Sequence, residues 1–276
     1  MVSPLVRTFL RGRDTITGLV MVSSIAILAA AVPYLNLPHF NSMEFPRLVP
    51  PSYRNPFGTD HLGRDIFTRV LWGARISLMI GFCAAGLASL IGIALGSISG
   101  YFRGRVGMVI DAIIDIFQVI PAFFLALVLL VIFGSSIYLL IIAITVTTWP
   151  MVARIMRAQV MSVKERLFVE AARAIGAGNL RILFKHVIPH ALPPALAYTI
   201  LEIGAAIMME AGLSYLGLGD PNYPSWGRMI YEGQVYVISA PWISLTPGAF
   251  VVYTLTGINL LGNGLMRVLV PRRAIK

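Results

Sequence analysis

The sequence is 276 residues long, and 57% of these residues are hydrophobic while only 12% are charged. A soluble domain of this composition would lack the polar side chains needed to cover its core, so the composition excludes an ordinary soluble protein and predicts an all-α protein that crosses the membrane several times. The net charge of +10 would indicate nucleic-acid binding in a soluble protein, but in a membrane protein the distribution of charge between the two faces is considered first.

Six apolar stretches are each close to the roughly 20 residues that a membrane-crossing helix needs. With the N-terminus placed in the cytoplasm, the cytoplasmic segments hold 16 basic and 3 acidic residues (net +13), and the outer segments hold 6 basic and 5 acidic residues (net +1). This bias follows the positive-inside rule, so the basic excess indicates topology with both termini cytoplasmic, and no nucleic-acid partner is expected. The six spans are predicted at residues 15–32, 76–99, 108–133, 137–153, 191–213 and 243–265.

The first span also has features of a cleavable signal peptide. Arg7, Arg11 and Arg13 precede the apolar stretch, and three alanines at 29–31 follow it. Removing the segment would leave five spans and a misplaced terminus. We therefore expect it to be retained as a membrane anchor.

The segment between the first two spans, residues 34–75, is rich in proline and is predicted to be an outer loop. Its last part, 62–75, alternates apolar and charged residues with helical spacing. Two interpretations stay open, namely an amphipathic helix on the membrane surface and an ordinary polar entrance to the second span. The predicted division of the chain is an anchor, loop and amphipathic helix over 1–75 and a main transmembrane domain over 76–276.

The second span carries glycines at four-residue intervals, at Gly92, Gly96 and Gly100. Small residues on one face of a membrane helix allow a neighbouring helix to approach closely. This spacing predicts a packing face, directed either to another helix of the chain or to a partner.

The third and fifth spans carry the intramembrane polar candidates, which are Asp115, Gln118 and Glu202. A carboxylate in the bilayer costs on the order of 2.5–3.5 kcal/mol on insertion scales, so Asp115 and Glu202 are expected to face the protein interior. A proton relay and structural hydrogen bonding both stay open for them. Asp111 and Glu210 lie nearer the span ends and are expected to reach water.

The segment 154–190 is the most polar stretch between two spans, with seven Lys or Arg residues and two acids. A run of good helix formers breaks at 176–178, resumes over 179–187 and is predicted to stop at Pro189. Gly176 permits a tight turn at the break. Two short helices held outside the membrane by their charge are typical of a docking element.

The connection between the fifth and sixth spans, 214–242, is rich in glycine, proline and aromatic residues and is predicted to be outside the membrane core. A re-entrant segment and an interfacial loop both remain possible interpretations.

Several chemistries are not supported by the sequence. None of the three lysines, Lys164, Lys185 and Lys276, follows a glycine, so the chain has no phosphate-binding loop of the Gly-Lys-Ser/Thr type. His186 and His190 have metal-ligand spacing, but a proline stands between them and no Cys or acid accompanies them, so structural roles are favoured. We predict no enzyme activity, no metal site and no bound cofactor.

Four stretches, in this order along the chain, resemble the C-type integral-membrane permease subunit of the dipeptide, oligopeptide and nickel ABC importers. They are Pro56–Asp65 with Arg75–Leu78; Asp115 followed by Pro121; Glu170-Ala171-Ala172 with Gly176 and His186-Val187-Ile188-Pro189; and Leu213–Gly219 with Pro224–Gly227. The resemblance covers nearly the whole chain. It departs from the family at Ala112, where an Arg is common, and over 220–223.

The resemblance implies a prokaryotic cell-membrane protein that pairs with a homologous B-type permease, two cytoplasmic ATPases that bind the ATP, and an extracytoplasmic substrate-binding protein. Peptides are the implied cargo, with nickel or oligosaccharides as alternatives. A secondary transporter using Asp115 or Glu202 and a non-transport scaffold are the rival classes, and neither explains the basic loop. The residues that the resemblance places on the ATPase-coupling loop are Glu170, Ala171, Ala172, Gly176, His186, Ile188 and Pro189.

Overall fold

The computed structural model of the protein describes residues 12–102 and 104–269. Within these ranges the chain is all-α, as predicted, apart from an isolated bridge between Thr59 and Asp65. Part of the predicted cytoplasmic charge lies outside the described residues, namely Arg7, Arg11, Arg103, Arg272, Arg273 and Lys276.

The helices follow one another along the chain, with the longest connection between the first and the second. They are α1 (Arg13–Ala31), α2 (Ile66–Tyr101), α3 (Arg105–Val119), α4 (Ala122–Phe133), α5 (Ile137–Val163), α6 (Leu167–Ala174), α7 (Asn179–Ile182), α8 (Ile188–Leu213), α9 (Trp226–Gly233) and α10 (Trp242–Leu269). Short 3₁₀ turns lie at Val32–Tyr34 and Gln234–Tyr236, and π-helical turns at Leu183–Val187 and Ser214–Leu218.

Five helical segments of the described chain are long and apolar enough to cross a membrane: α1, α2, α5, the continuous segment from α7 through α8, and α10. The predicted span over 108–133 is instead divided into α3 and α4, whose axes differ in direction by 85°. Pro121 explains the division, because proline disfavours helical backbone at the preceding residue, and Ile120 has the extended ψ of 123°. The bundle has six spans when this pair is counted as one.

The bundle has two ends, which we name by the segments that they carry. The loop end carries residues 164–190, and the opposite end carries residues 32–65 together with α9. Between them, the main core lies where α2, α5 and α8 meet, with Ala84, Ile144 and Ile207 fully buried.

Helix α2 extends over 36 residues, or about 54 Å at the usual helical rise. It begins at Ile66, where the Asp65 side chain accepts a hydrogen bond of 2.8 Å from the Thr68 backbone N–H as an N-cap. The segment 62–75 is therefore mostly the first part of this helix, and its side chains are largely buried. This favours the interpretation as an entrance to the second span over a separate helix on the membrane surface.

The glycine face of α2 packs against α5, as the four-residue spacing predicted. A Cβ placed on Gly96 would lie 2.3 Å from the Ala153 carbonyl oxygen, and one on Gly92 would lie 2.6 Å from the Val152 Cβ. The two helix backbones therefore approach closely at this point, so the glycine face packs against another helix of this chain.

We expect Gly96→Ala to destabilise the protein by about 1–3 kcal/mol, because the added methyl group overpacks the contact between α2 and α5. Gly86→Ala in the same helix is the matched control, since a Cβ at Gly86 meets no atom within 4 Å. The measurement is the thermal unfolding midpoint of each purified variant in detergent. Equal midpoints for the two variants would contradict the close packing.

The prediction that the second loop helix stops at Pro189 is wrong. Helix α7 continues through the π-helical turn 183–187 into α8, so that the helical segment runs without interruption past Pro189. The Ile188 backbone N–H donates to the Leu183 carbonyl, five residues back, and Pro189 follows at the start of α8. The missing N–H of proline thus falls where the hydrogen-bond pattern changes from π to α, and it does not break the helix.

Candidate functional site

The two-helix loop at the loop end is a folded element with its own small core. Its inner apolar side chains are buried against the ends of α5 and α8, so the loop is held in a fixed position on the bundle. The buried residues of the loop in this core are Val169, Ala172, Ile182, Leu183 and Val187, and their partners include Met156, Val160, Val163 and Ala191.

The outer face of the loop is apolar, exposed and rimmed by positive charge. Leu167 is 82% exposed and Ile175 is 85% exposed, and Leu180 and Phe184 are exposed as well. Exposed apolar patches with a charged rim mark protein interaction surfaces. The rim is formed by Arg166, Arg173, Arg181 and Lys185, all of them exposed.

Helix α6 ends in a Schellman motif that fixes the direction of α7. The Ala177 N–H donates to the Ala172 carbonyl (3.1 Å), and the Gly176 N–H donates to the Arg173 carbonyl (2.9 Å). Gly176 has a φ of +85°, which L-residues with side chains rarely adopt. A Cβ at this position would meet no other atom within 4 Å, so the requirement for glycine comes from the backbone angle and not from crowding.

We expect Gly176→Val to strain the turn by roughly 1–2 kcal/mol and to lower the loop's function, because φ must leave the left-handed region. Gly178→Val is the matched control, since Gly178 has a φ of −68° and equally open surroundings. Substrate uptake by reconstituted complexes, compared at equal membrane levels, is the measurement. An equal loss of uptake in the two variants would contradict a specific requirement for glycine at position 176.

The residues that the resemblance assigned to coupling do not form one surface. Glu170, Ala171 and Gly176 are exposed on the first loop helix and its turn, whereas Ala172 is buried in the loop core. Pro189 is exposed at the start of α8. His186 and Ile188 are half-buried on either side of Val187. The structure thus separates an outward-facing group from an inward-facing one.

The loop is tied to the end of α2 by two polar contacts. The Lys164 ammonium is buried and donates to the Gly100 carbonyl at 2.5 Å, and the Tyr101 hydroxyl donates to the Asn179 side-chain oxygen at 3.3 Å. A displacement of the loop therefore acts directly on α2 as well as on α5 and α8.

Asp115 does not lie in the interior of this chain, contrary to expectation. Its side chain is 70% exposed and forms an ion pair with Arg154 at 3.1 Å. Asp111, one turn earlier, pairs with Arg157 at 2.7 Å and accepts a hydrogen bond from Ser99. Helix α3 lies at the edge of the bundle, and these arginines of α5 supply the opposite charge that the two carboxylates need.

Glu202 is buried as predicted, with 4% of its surface exposed. It lies on the wall of a cavity of about 350 Å³ at the break between α3 and α4. The cavity is also lined by Gln118, a second polar candidate that is half-buried, and by Thr148 and Tyr198. Two of the three predicted intramembrane candidates therefore come together, and Asp115 is not part of this group.

Glu210 does not reach water, contrary to expectation. It is fully buried, and its two carboxylate oxygens accept hydrogen bonds from Ser77 at 3.0 Å and from Ser214 at 2.6 Å. Ser77 lies in α2 and comes more than a hundred residues earlier in the chain, so the sequence around Glu210 gives no sign of this partner.

The connection 214–242 folds back onto the bundle. Trp226 at the start of α9 is completely buried, and its indole N–H donates to the Val70 carbonyl at 3.1 Å. Its backbone N–H lies 3.3 Å from the Ser77 hydroxyl oxygen. The connection is thus packed against the first turns of α2.

A buried ion cluster at the opposite end was missed by sequence reasoning. One oxygen of Glu232 accepts from Arg64 at 2.7 Å and from Arg69 at 2.6 Å, and the other accepts from Arg228 at 3.0 Å. Asp60 accepts a further bond of 2.5 Å from Arg64. The spacing of Asp60 and Arg64 was a usable local signal, but Glu232 lies far along the chain. This cluster joins the residues before α2 to α9.

The fold is shared with chains of solved ABC transporters. The chain aligns with a solved structure of the inward-facing MetNI methionine ABC transporter with a TM-score of 0.60 and 21% identity, over 74% of this chain and 96% of that one. A solved amino acid ABC transporter aligns with a TM-score of 0.57 at 21% identity, over 73% of this chain and 94% of that one. At this level of identity the likeness establishes the fold.

The family follows from the sequence comparisons. Residues 92–275 match the family described as binding-protein-dependent transport system inner membrane component. The chain is 38% identical to the dipeptide transport system permease protein DppC of Alkalihalophilus pseudofirmus, over 95% of this chain and 87% of that protein. It is also 38% identical to the oligopeptide transport system permease protein OppC of Bacillus subtilis, over 96% and 87%. The chain belongs to this family, and it is a membrane-spanning permease subunit of an ABC importer.

Proposed function

We propose that this chain is the C-type permease subunit of a peptide importer and forms half of the translocation pathway. The two-helix loop supports a role in coupling to the ATPases. Its outer face is apolar and basic, and its inner face is packed on three spans. The names of the relatives, which describe dipeptide and oligopeptide transport, support peptides as the cargo.

The partners that we propose are a homologous B-type permease, two ABC ATPases docked on the loop, and an extracytoplasmic substrate-binding protein. The chain itself performs no catalysis and holds no cofactor in this proposal, since ATP is bound and hydrolysed by the ATPases. The distribution of basic residues supports an orientation with the loop and both termini in the cytoplasm. The anchor region 1–75 and the transport domain 76–276 then act together, because α2 crosses the boundary between them.

The mechanism rests on the loop as a rigid docked element. ATP-driven closure of the ATPases would displace α6 and α7, and their packing on α5 and α8 would pass this displacement to the spans. Ligand-driven change of this kind requires contacts that differ between the inward- and outward-facing states, which a mobile loop would not supply.

The test is gentle purification of the chain with its co-expressed partners, followed by reconstitution into proteoliposomes. We expect recovery of a second permease and two ATPases, and ATP-dependent uptake of peptides presented by the binding protein. Uptake of nickel or oligosaccharide in place of peptide would change the cargo and retain the coupling. Transport by the solitary chain, driven by an ion gradient without ATP, would overturn the proposal.

A further inference from the structure

The cavity at the break between α3 and α4 contains a carboxylate for which the described chain supplies no counter-ion. Glu202 is the fifteenth of the 26 residues of α8, which places it at mid-span. Tyr198 and Thr148 line the same cavity, and the Thr148 hydroxyl is buried without a hydrogen-bond partner in the described part of the chain. The other residues that line the cavity, all in the described part of the chain, include no Lys, Arg or His.

The other intramembrane acids are partnered differently. Asp111 and Asp115 each pair with an arginine of α5, and Glu210 accepts hydrogen bonds from two serines in a closed site with no exposed surface. Glu202 alone among these four combines an open cavity with the lack of a cation. A carboxylate so placed is suited to receive a positively charged group from outside the chain.

The backbone around the cavity adds to the negative potential. Helix α3 ends at Val119, and its last carbonyl groups have no continuing helical turn to pair with, because Ile120 is extended. This end is the negative end of the α3 dipole.

The cavity cannot face lipid. Interrupted backbone and an acidic side chain at membrane depth are tolerated where they are covered by protein or line a water-filled space. Transporters place substrate sites at interrupted helices near mid-membrane for the same reason. The volume of about 350 Å³ lies within the range of sites for small molecules.

We propose that the Glu202 cavity is a cation subsite of the translocation pathway and binds the terminal ammonium group of the transported peptide. This inference rests on the proposed function, since it names the part of a peptide cargo that this chain contacts. Glu202 provides the charge, and the side chains of Tyr198 and Thr148 line the cavity beside it.

The first test reads the charge preference of the cavity without any peptide. Met151 lines the cavity and is exposed, and Cys83 is the single cysteine of the chain. In a Cys83→Ser, Met151→Cys variant of the assembled importer, the labelling rates of this chain by a cationic and an anionic methanethiosulfonate are compared by intact mass. The cationic reagent is expected to react faster, and Glu202→Gln is expected to lower the ratio of rates by about tenfold or more.

Two matched variants control for the removal of charge. Glu202→Asp keeps the carboxylate and should keep most of the preference. Asp115→Asn makes the same chemical change at an acid that lines a different cavity, beside Asp111 and Arg157, and should leave the ratio within about twofold. If Glu202→Gln leaves the ratio of the two labelling rates unchanged, Glu202 carries no charge in the cavity, and the inference is wrong.

The second test uses peptide. A peptide with a free amino terminus, at millimolar concentration and without binding protein, is expected to slow labelling of Met151→Cys, whereas the same peptide with an acetylated terminus is not. Glu202→Gln should abolish this difference. Equal protection by the two peptides, or protection by neither, would contradict ammonium binding.

The proposed function and the cation subsite can be refuted independently of each other. Peptide uptake by the wild-type complex tests the proposed function, and the labelling ratio tests the cavity. Normal peptide uptake with a charge-insensitive cavity would refute the cation subsite alone. Absence of peptide uptake in an ATP-coupled complex would refute the peptide cargo, and with it the ammonium ligand.

Discussion

Placing a charge on the exposed apolar tip of the loop is expected to uncouple the importer. Ile175→Glu should abolish recovery of the ATPases with this chain and reduce substrate uptake to background, because burying an unpaired carboxylate in an apolar interface costs several kcal/mol. Ile175 is 85% exposed, so the variant should insert and fold normally. Co-purification of the ATPases at equal membrane levels of the chain is the measurement.

The control for this prediction is Tyr53→Glu. Tyr53 is also a large exposed side chain, but it lies at the opposite end of the bundle. Its substitution should leave recovery of the ATPases unchanged. Glu170→Lys, at another exposed position of α6, should resemble Ile175→Glu in its effect on uptake. Full recovery of the ATPases with Ile175→Glu would show that the loop tip is not part of their docking surface.

Removing the charge of Glu232 is expected to destabilise the opposite end strongly. In Glu232→Gln, one carboxylate oxygen becomes an NH₂ group, which cannot accept from an arginine. Arg64 and Arg69 are both buried and share one oxygen of Glu232, so the variant leaves positive charge uncompensated inside the protein. Breaking a buried ion pair from one side costs about 3–5 kcal/mol.

The measurement is the thermal unfolding midpoint in detergent together with the level of folded protein in the membrane. Glu44→Gln is the control. Glu44 is an exposed acid at the same end of the bundle, and among the described contacts it is bonded only to the nearby Ser42. Its effect should stay within about 0.5 kcal/mol. A Glu232→Gln protein as stable as the Glu44→Gln protein would show that Asp60 alone compensates the arginines.

Sequence reasoning succeeded where the determining interactions are local or periodic. Hydropathy located five of the spans, and the break at Pro121 divides the sixth. The four-residue glycine spacing located the face of α2 that packs on α5, and the charge of 154–190 identified the two-helix loop. Gly176 was identified correctly as a turn residue, since its role depends on its own φ.

The errors arose where a distant residue decides the outcome. Glu210 was expected to reach water because its serine partner in α2 is far away in sequence, and the ion cluster was missed because Glu232 follows Arg64 by more than 160 positions. Pro189 was expected to end a helix, but a π-helical turn before it absorbs the missing hydrogen bond. Asp115 was assigned to the interior from the cost of burial alone, without knowledge that Arg154 compensates it.

The unbroken length of α2 gives the two ends of the bundle a common mechanical element. Its last residues, Gly100 and Tyr101, are held by the loop, and its first turns carry Arg69 of the ion cluster and Val70, which binds Trp226. The helix contains no proline over its 36 residues and runs without a break from one end of the bundle to the other. In the proposed importer, movement of the loop by the ATPases and docking of the binding protein at the opposite end would act on the same helix. A more flexible α2 would weaken the link between ATP hydrolysis and the arrival of cargo.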